Sequence, residues 1–172
     1  NNSDWRGALP NRKTIFQKFK DFGYLVKGAG KIFHHKLNGA FHDGPSFHSF
    51  KHMIAQPHPV KKLNNAPEYG SIRTDWGIFP NKENESIDYN TIEYCIDSIK
   101  NSNSDKPLFL ACGIYRPHSP FFAPKKYHSI VGDVPMPKRK TNDLLDLPEG
   151  ASKLHRSTKW FWQEMQKLES KM

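Results

Sequence analysis

The pattern of apolar and polar positions predicts three helices and two strands around a long irregular middle. Lys13–Asp21 carries Ile15, Phe16 and Phe19, with Phe22 following, at helical spacing. Pro10-Asn11 before it and Gly23 after it supply a start and a stop. Tyr24–Val26 then reads as a short buried strand. Ser86–Lys100 is the clearest helix: Ile92, Cys95, Ile96 and Ile99 fall at i, i+3, i+4 and i+7, and Ser86 or Asp88 can cap it. Lys106-Pro107 opens the apolar run LFLACGI, Leu108–Ile114, the pattern of a strand buried on both faces. Each half therefore runs helix, short link, strand, the order of an α/β sheet. Ser157–Met172 returns to helical spacing, with Phe161, Met165, Leu168 and Met172 on one stripe.

Between these elements, Gly28–Pro80 is rich in His, Asn, Gly and Pro and holds no sustained period. A structureless run of that length inside a compact domain points to a functional excursion. Val131–Gly150 is proline-rich and reads as extended loop. There is no internal repeat and no low-complexity tract.

Composition narrows the picture. The 172 residues are 36% hydrophobic, below the usual share of about 45–50%, while aromatics reach 13%, so the expected core is thin and ring-rich. The formal charge of +9 favours polyanionic partners: nucleic acid, anionic lipid or sulfated sugar. The plainer alternative is a lysine-rich solvated surface. The two cysteines, Cys95 and Cys112, form no CxxC and each sits in an apolar run, as a small core residue would. No apolar stretch approaches the roughly 18–20 residues that span a bilayer. The chain opens at Asn1 with neither an initiator Met nor a signal peptide, which fits a mature product or an internal fragment. Asn1-Asn2-Ser3 and Asn84-Glu85-Ser86 match the N-glycosylation tripeptide, a pattern that also arises by chance.

Two constellations carry candidate chemistry. GAGKIFHH, Gly28–His35, follows the first strand, and RPHSPFFAP, Arg116–Pro124, follows the second. Open α/β sheets bind ligands beyond the carboxyl ends of their strands. If the strands are parallel neighbours, Lys31, His34 and His118 are expected on one edge. Gly28 and Gly30 would let backbone approach a ligand. Lys31 offers a compact positive charge to an oxyanion, and the two imidazoles can move protons near neutral pH. Pro117 and Pro120 stiffen the backbone around His118. The alternative leaves Lys31 solvated and both histidines as ordinary loop residues.

Two further readings are weaker. His48 and His52 are four apart, as two zinc ligands on a helix would be, but prolines flank the stretch and no HExxH is present. Trp160, Phe161 and Trp162 beside Arg156 and Lys159 suggest stacking on single-stranded nucleic acid. Glu164 and Glu169 interrupt that basic face, and no RNP, zinc-finger or helix-turn-helix signature is present.

GYLVKGAGKIFHH followed by KPLFLACGIYRPHSPFFAPKKY resembles the sulfatases, especially the iduronate-2-sulfatase-like branch, and the resemblance runs from about Trp5 to Pro148. Many arylsulfatases separate the lysine and histidine by one residue, as in GKWH; here two residues separate Lys31 from His34, as in the iduronate branch. The resemblance implies a partial alkaline-phosphatase-like α/β fold with a mainly parallel sheet, flanking helices and long loops. It implies hydrolysis of sulfate esters, with calcium and a formylglycine, made from the cysteine of a C-x-P-S-R motif, as the family's cofactors. Lys31 matches the lysine that binds sulfate and the formylglycine. His34 matches the histidine that hydrogen-bonds the formylglycine, and His118 the histidine on the sulfate and leaving-group side.

The departures are as specific. Neither Cys95 nor Cys112 stands in C-x-P-S-R, the early Asp-Asp pair that binds calcium is missing, and so is the later Asp-His or Asp-Asn pair. Residues 1–172 are thus expected to be an internal piece of a sulfatase catalytic domain that contributes no metal ligand and is inactive alone. The expected substrate is a sulfated small molecule or glycan, with Lys31 and His118 on the substrate, in a secreted, lysosomal or periplasmic protein. The alternatives are a non-catalytic binder of sulfated or phosphorylated polyanions and, third, a nucleic-acid-binding module.

Overall fold

Helix α2 (Ile15–Asp21) starts two residues later than its apolar spacing suggests, because Thr14 closes a capping box. Thr14 Oγ1 accepts the Gln17 N–H at 3.1 Å, and Gln17 Oε1 accepts the Thr14 N–H at 3.0 Å. Gly23, at φ 83°, supplies the left-handed turn that ends the helix. Of the apolar residues on this helix, Phe16 and Phe19 turn inward while Ile15 stays exposed.

The computed structural model describes residues 5–34, 42–68, 73–135 and 145–153, together with 163, 164 and 167. The chain forms two units, Asn1–Pro57 with Glu83–Arg116, and His58–Lys82 with Pro117–Met172. The helix expected over Ser157–Met172, with its Trp160–Trp162 cluster, lies almost entirely outside the described residues, as does His35.

In the first unit, a short helix α1 (Trp5–Ala8) precedes α2, and three strands form a parallel sheet in the order β2-β1-β4. These are β1 (Leu25–Gly30), β2 (Ser49–Lys51) and β4 (Leu108–Gly113); helix α3 (Ile87–Lys100) packs on the sheet. The expected parallel neighbours are present, with Leu25 opposite Leu108 and Gly30 opposite Gly113. β1 is longer than the expected Tyr24–Val26, because the glycines belong to the strand rather than to a loop after it. The supposed structureless excursion likewise contains β2, a 3-10 turn at Gly44–Ser46, and β3 (Trp76–Ile78) of the second unit.

The two faces of this sheet are built from different materials. Phe109 of β4 stacks on Phe19 of α2 at 4.1 Å and 9°, and Phe16 packs on Phe47 at 4.7 Å. Such ring pairs are worth about 0.5–1.5 kcal/mol beyond their buried area. Gly28 makes room for this layer, since a Cβ there would lie 2.6 Å from the Phe47 ring. Cys112, an odd number of residues from Phe109, points to the other face, where α3 lies. α3 buries Ile87, Thr91, Cys95 and Ser98 and exposes Ile92, Ile96 and Ile99. Of the expected stripe only Cys95 is buried, and beyond Ile87 in the first turn the inward-facing residues are small. Cys112 is exposed, not the core residue it was expected to be, while Cys95 is buried.

A polar network fixes the loop before β2. Arg6 grips the buried Asp43 with Nε at 3.0 Å and Nη2 at 2.6 Å, a bidentate pair. Ser46 gives its hydroxyl proton to Asp43 and lies 2.7 Å from Thr14 Oγ1, so the α2 cap is part of the same network.

In the second unit, β3 pairs in parallel with β5 (Phe121–Ala123), and helix α4 (Lys125–Val131) follows. The buried Asp75 accepts the backbone N–H groups of Leu63 and Asn64 and so organises the loop beside β3.

His48 couples this fold to pH. Its Nδ1 accepts the Val26 N–H at 3.0 Å, which requires that nitrogen to be unprotonated. Partial burial of the ring, with the charges of Lys20 and Lys106, holds its pKa below the ordinary 6.5. The fold therefore prefers the neutral ring: the stability it contributes is present above the unfolded pKa and lost as pH falls through the folded one. An NMR titration should place the His48 midpoint below 6.5, and His48→Gln should flatten the acid dependence of stability. A midpoint at or above 6.5 would refute this assignment.

Candidate functional site

The ends of β1 and β4 are held together by backbone. The Lys31 N–H donates to the Gly113 carbonyl at 2.8 Å. A Cβ on Gly113 would run into the Lys31 backbone, and one on Gly30 into the Gly113 carbonyl. Gly30 also sits at φ 77°, where glycine is strongly favoured. The glycines of GAGK therefore do not open a path for a ligand, as their spacing suggests. They let two strands, and α3 through Thr91, close on one another, and Lys31 leaves that junction in a fixed direction.

The chain leaving β4 is fixed by α3. The carboxylate of Asp88 accepts the Tyr115 N–H at 2.7 Å and the Arg116 N–H at 3.0 Å. Asp88 is thus an anchor rather than the alternative cap; Ser86 Oγ caps the helix by accepting the Tyr89 N–H at 3.2 Å. The anchored Tyr115 ring carries two cations: Lys31 Nζ lies 5.0 Å and the Arg116 guanidinium 5.9 Å from its centre. Burial lowers the Arg116 pKa, against the Asp88 charge that raises it, and burial pushes the Tyr115 phenol up, so at neutral pH the pair stays cationic guanidinium and neutral phenol. The result is a cationic patch with a hydroxyl donor at the carboxyl ends of two parallel strands.

The third strand end adds a pocket. His52 to Gln56 follow β2, and with Ile87 and Tyr115 they line an open cleft of about 290 Å³. The Tyr115 ring under Lys31 is one wall of this pocket. Sequence reasoning left out Asp88 as an anchor, Tyr115 and Gln56 altogether, and Arg116 as a site residue although its segment was singled out. The one available signal was that Tyr115-Arg116 directly follows a strand.

The histidines divide. His34 is exposed, three residues beyond Lys31 in the first unit. His118 belongs to the second unit. It is exposed, and its Nδ1 lies 2.7 Å from the Ser119 carbonyl. A carbonyl only accepts, so Nδ1 carries the proton and Nε2 is the basic nitrogen of the neutral ring. The zinc spacing of His48 and His52 dissolves, because β2 lies between them and His48 Nδ1 is committed to Val26. Among the described residues no group of three His, Cys, Asp or Glu side chains is placed to hold a metal ion.

Comparison with known proteins supports a partial sulfatase region. A protein named "Sulfatase" from Formosa agariphila is 30% identical over 156 residues, 83% of this chain and 30% of the relative. Iduronate 2-sulfatase of Homo sapiens is 29% identical over 136 residues, and that of Mus musculus 28% over 143, each across 75% of this chain and 25% of the relative. The chain thus spans under a third of the length of these curated relatives. No family model matches it.

Gly113, whose added Cβ would lie 2.3 Å from the Lys31 backbone, has no room for a single methyl group and sits at no positive φ. Gly113→Ala should force the Lys31 backbone away and destabilise the fold by about 1–3 kcal/mol, measured by chemical denaturation. Gly132→Ala, where an added Cβ meets nothing within 4 Å but the φ of 67° is strained, controls for backbone strain alone. Equal loss at both positions would sink the steric account.

Proposed function

We propose that this chain, a partial region of the sulfatase family, forms the cationic wall of a sulfuric-ester hydrolase site and is an internal piece of its catalytic domain. The observation that carries the reading is Lys31 and Arg116 gathered on Tyr115 at the ends of β1 and β4. A tetrahedral dianion needs converging positive charge and donors on rigid backbone, and the glycine junction and the Asp88 anchor supply the rigidity. Lys31 holds the sulfate. By the family resemblance, His34 and His118 match the histidines that handle protons, His118 the one on the leaving-group side. The pocket of His52, Gln56 and Tyr115 takes the remainder of the ester, and the names of the human and mouse relatives support a sulfated carbohydrate there.

The family's calcium and formylglycine are expected from segments of the full-length protein outside these residues. Neither cysteine stands in C-x-P-S-R, and the described acidic and histidine side chains make no metal cluster. A secreted, lysosomal or periplasmic location follows the same family reading; among the described residues no helix is long and apolar enough to cross a membrane. A second reading, binding of sulfated or phosphorylated polyanions without turnover, draws on the same cationic strand ends and the +9 charge. The nucleic-acid reading rests on Trp160–Trp162 and gains nothing from the described residues.

In the full-length protein, Lys31→Ala and His118→Ala should each lower kcat/KM for a fluorogenic aryl sulfate by about 10²–10⁴-fold. Unchanged turnover in either variant would remove that residue from the site. A wild-type protein that binds sulfated glycan but never turns over an aryl sulfate would favour the second reading.

The pocket separates binding from chemistry. The double substitution His52→Ala with Gln56→Ala should raise KM for a sulfated oligosaccharide several-fold, and leave kcat on the small aryl sulfate unchanged. An unchanged oligosaccharide KM would exclude the pocket as the place where the sugar sits.

A further inference from the structure

Cys95 and Cys112 are distant in the sequence pattern yet meet across α3 and β4, and the proposed chemistry uses neither. Cys112 pairs with Ala29 in the sheet, one register step before Gly30 and Gly113. Thr91 of α3 lies over that last step, its Cγ2 2.7 Å from where a Gly30 Cβ would sit. Cys95 is one helical turn after Thr91, about 6 Å along the helix axis. β4 runs opposite to α3, and about 6 Å back along it is close to two residues. Asp88 at the Tyr115 and Arg116 N–H groups and Thr91 at the Gly30 position fix that direction, and the spacing brings Cys95 over the Ala111–Cys112 stretch, where the two thiols are neighbours. Small residues allow the approach: Thr91, Cys95 and Ser98 on the helix, glycines at the strand ends.

We propose that Cys95 and Cys112 form an oxidative modification site that closes into a disulfide pinning α3 to β4 under glutathione disulfide. The order of events follows from access. Cys112 is exposed and Cys95 buried. Burial, and then the neighbouring Cys112 thiol, push the Cys95 thiol up to about 12, so it stays protonated until a partner is activated. The Cys112 thiolate attacks one sulfur of glutathione disulfide. The glutathione S–S bond breaks, and one glutathione leaves as thiolate. Cys95 then releases its proton, its sulfur attacks the Cys112 sulfur, and the second glutathione leaves and takes up a proton. Two protein thiols are oxidised to one disulfide, and one glutathione disulfide is reduced to two glutathione molecules. The bond closes a loop of about 17 residues one position before Gly113, whose carbonyl holds the Lys31 N–H. Oxidation therefore stiffens the strand end that aims Lys31.

The test titrates the full-length protein with glutathione disulfide, alkylates remaining thiols and maps peptides by mass. The expected product joins the Cys95 and Cys112 peptides with loss of two hydrogens. It should raise Tm by roughly 5–10 °C and slow exchange of the Lys31 amide. Cys95→Ala should stop at a glutathione adduct on Cys112. If that variant does not fold, Cys112→Ser at the exposed position serves instead, and should leave Cys95 resistant to glutathione. Both thiols still open to alkylation, or a wild-type protein that stops at the Cys112 adduct, would overturn the proposal. These readouts need no sulfate-ester turnover, so they stand or fall apart from the hydrolase reading.

Discussion

Two strand ends that approach more closely than any side chain allows set the rest of this structure. Gly30 and Gly113 face each other across β1 and β4, and the Gly113 carbonyl takes the Lys31 N–H. A parallel pair with ordinary residues there would splay at its carboxyl ends, and the lysine would leave on a flexible backbone. Here the backbone of one strand is the steric boundary of the other. The freedom glycine gives up on folding is the cost of that boundary; the gain is a cation whose origin is fixed by main-chain atoms rather than by its own rotamers.

The second strand end needs a different solution, because nothing after Gly113 pairs with β1. The solution is a carboxylate. Asp88 receives two consecutive N–H groups, from Tyr115 and Arg116, and charge-assisted bonds of this kind are about twice as strong as neutral ones. That fixes the tyrosine ring, and the ring gathers Lys31 and Arg116. Like charges repel, so two cations on one ring hold each other apart while both favour an anion. Asp88 places both of its oxygens on backbone, at the Tyr115 and Arg116 N–H groups.

How much of this was legible in the sequence follows from which interactions are local. The helix–strand units, their parallel pairing and the placing of Lys31 after one strand and the Arg116 segment after the other were readable, because they depend on periodicity and chain order. The function of the glycines was not, since Gly28 answers to Phe47 and Gly30 to Gly113, partners far along the chain. The face of α3 was misjudged for the same reason. Ile92, Ile96 and Ile99 make the stronger apolar stripe, yet the sheet surface beneath is too close for them. Asp88 looked like a cap because helix starts favour Asp there, while its use as an anchor for β4 depends on tertiary distance. Cys112 looked like core because the strand around it is apolar, but it lies on the face toward α3, where the helix residues beyond Ile87 are small and leave it exposed.

The misjudged face of α3 and the missed anchor have one cause. If isoleucines stood at Thr91, Cys95 and Ser98, the helix beyond Ile87 would ride higher by their added thickness and would pull the first turn with it. Asp88 sits in that first turn, and bonds of 2.7 and 3.0 Å to the β4 exit tolerate little displacement. The small face of Thr91, Cys95 and Ser98 is therefore a condition for the site and not a weakness of the core. On the opposite face the same sheet carries a thick aromatic layer, Phe16, Phe19, Phe47 and Phe109, where no such distance has to be met. The asymmetry puts stabilising bulk on the side away from α3 and close approach on the side whose helix start holds the β4 exit. The two thiols lie on that close side because cysteine is one of the few apolar side chains small enough to fit there.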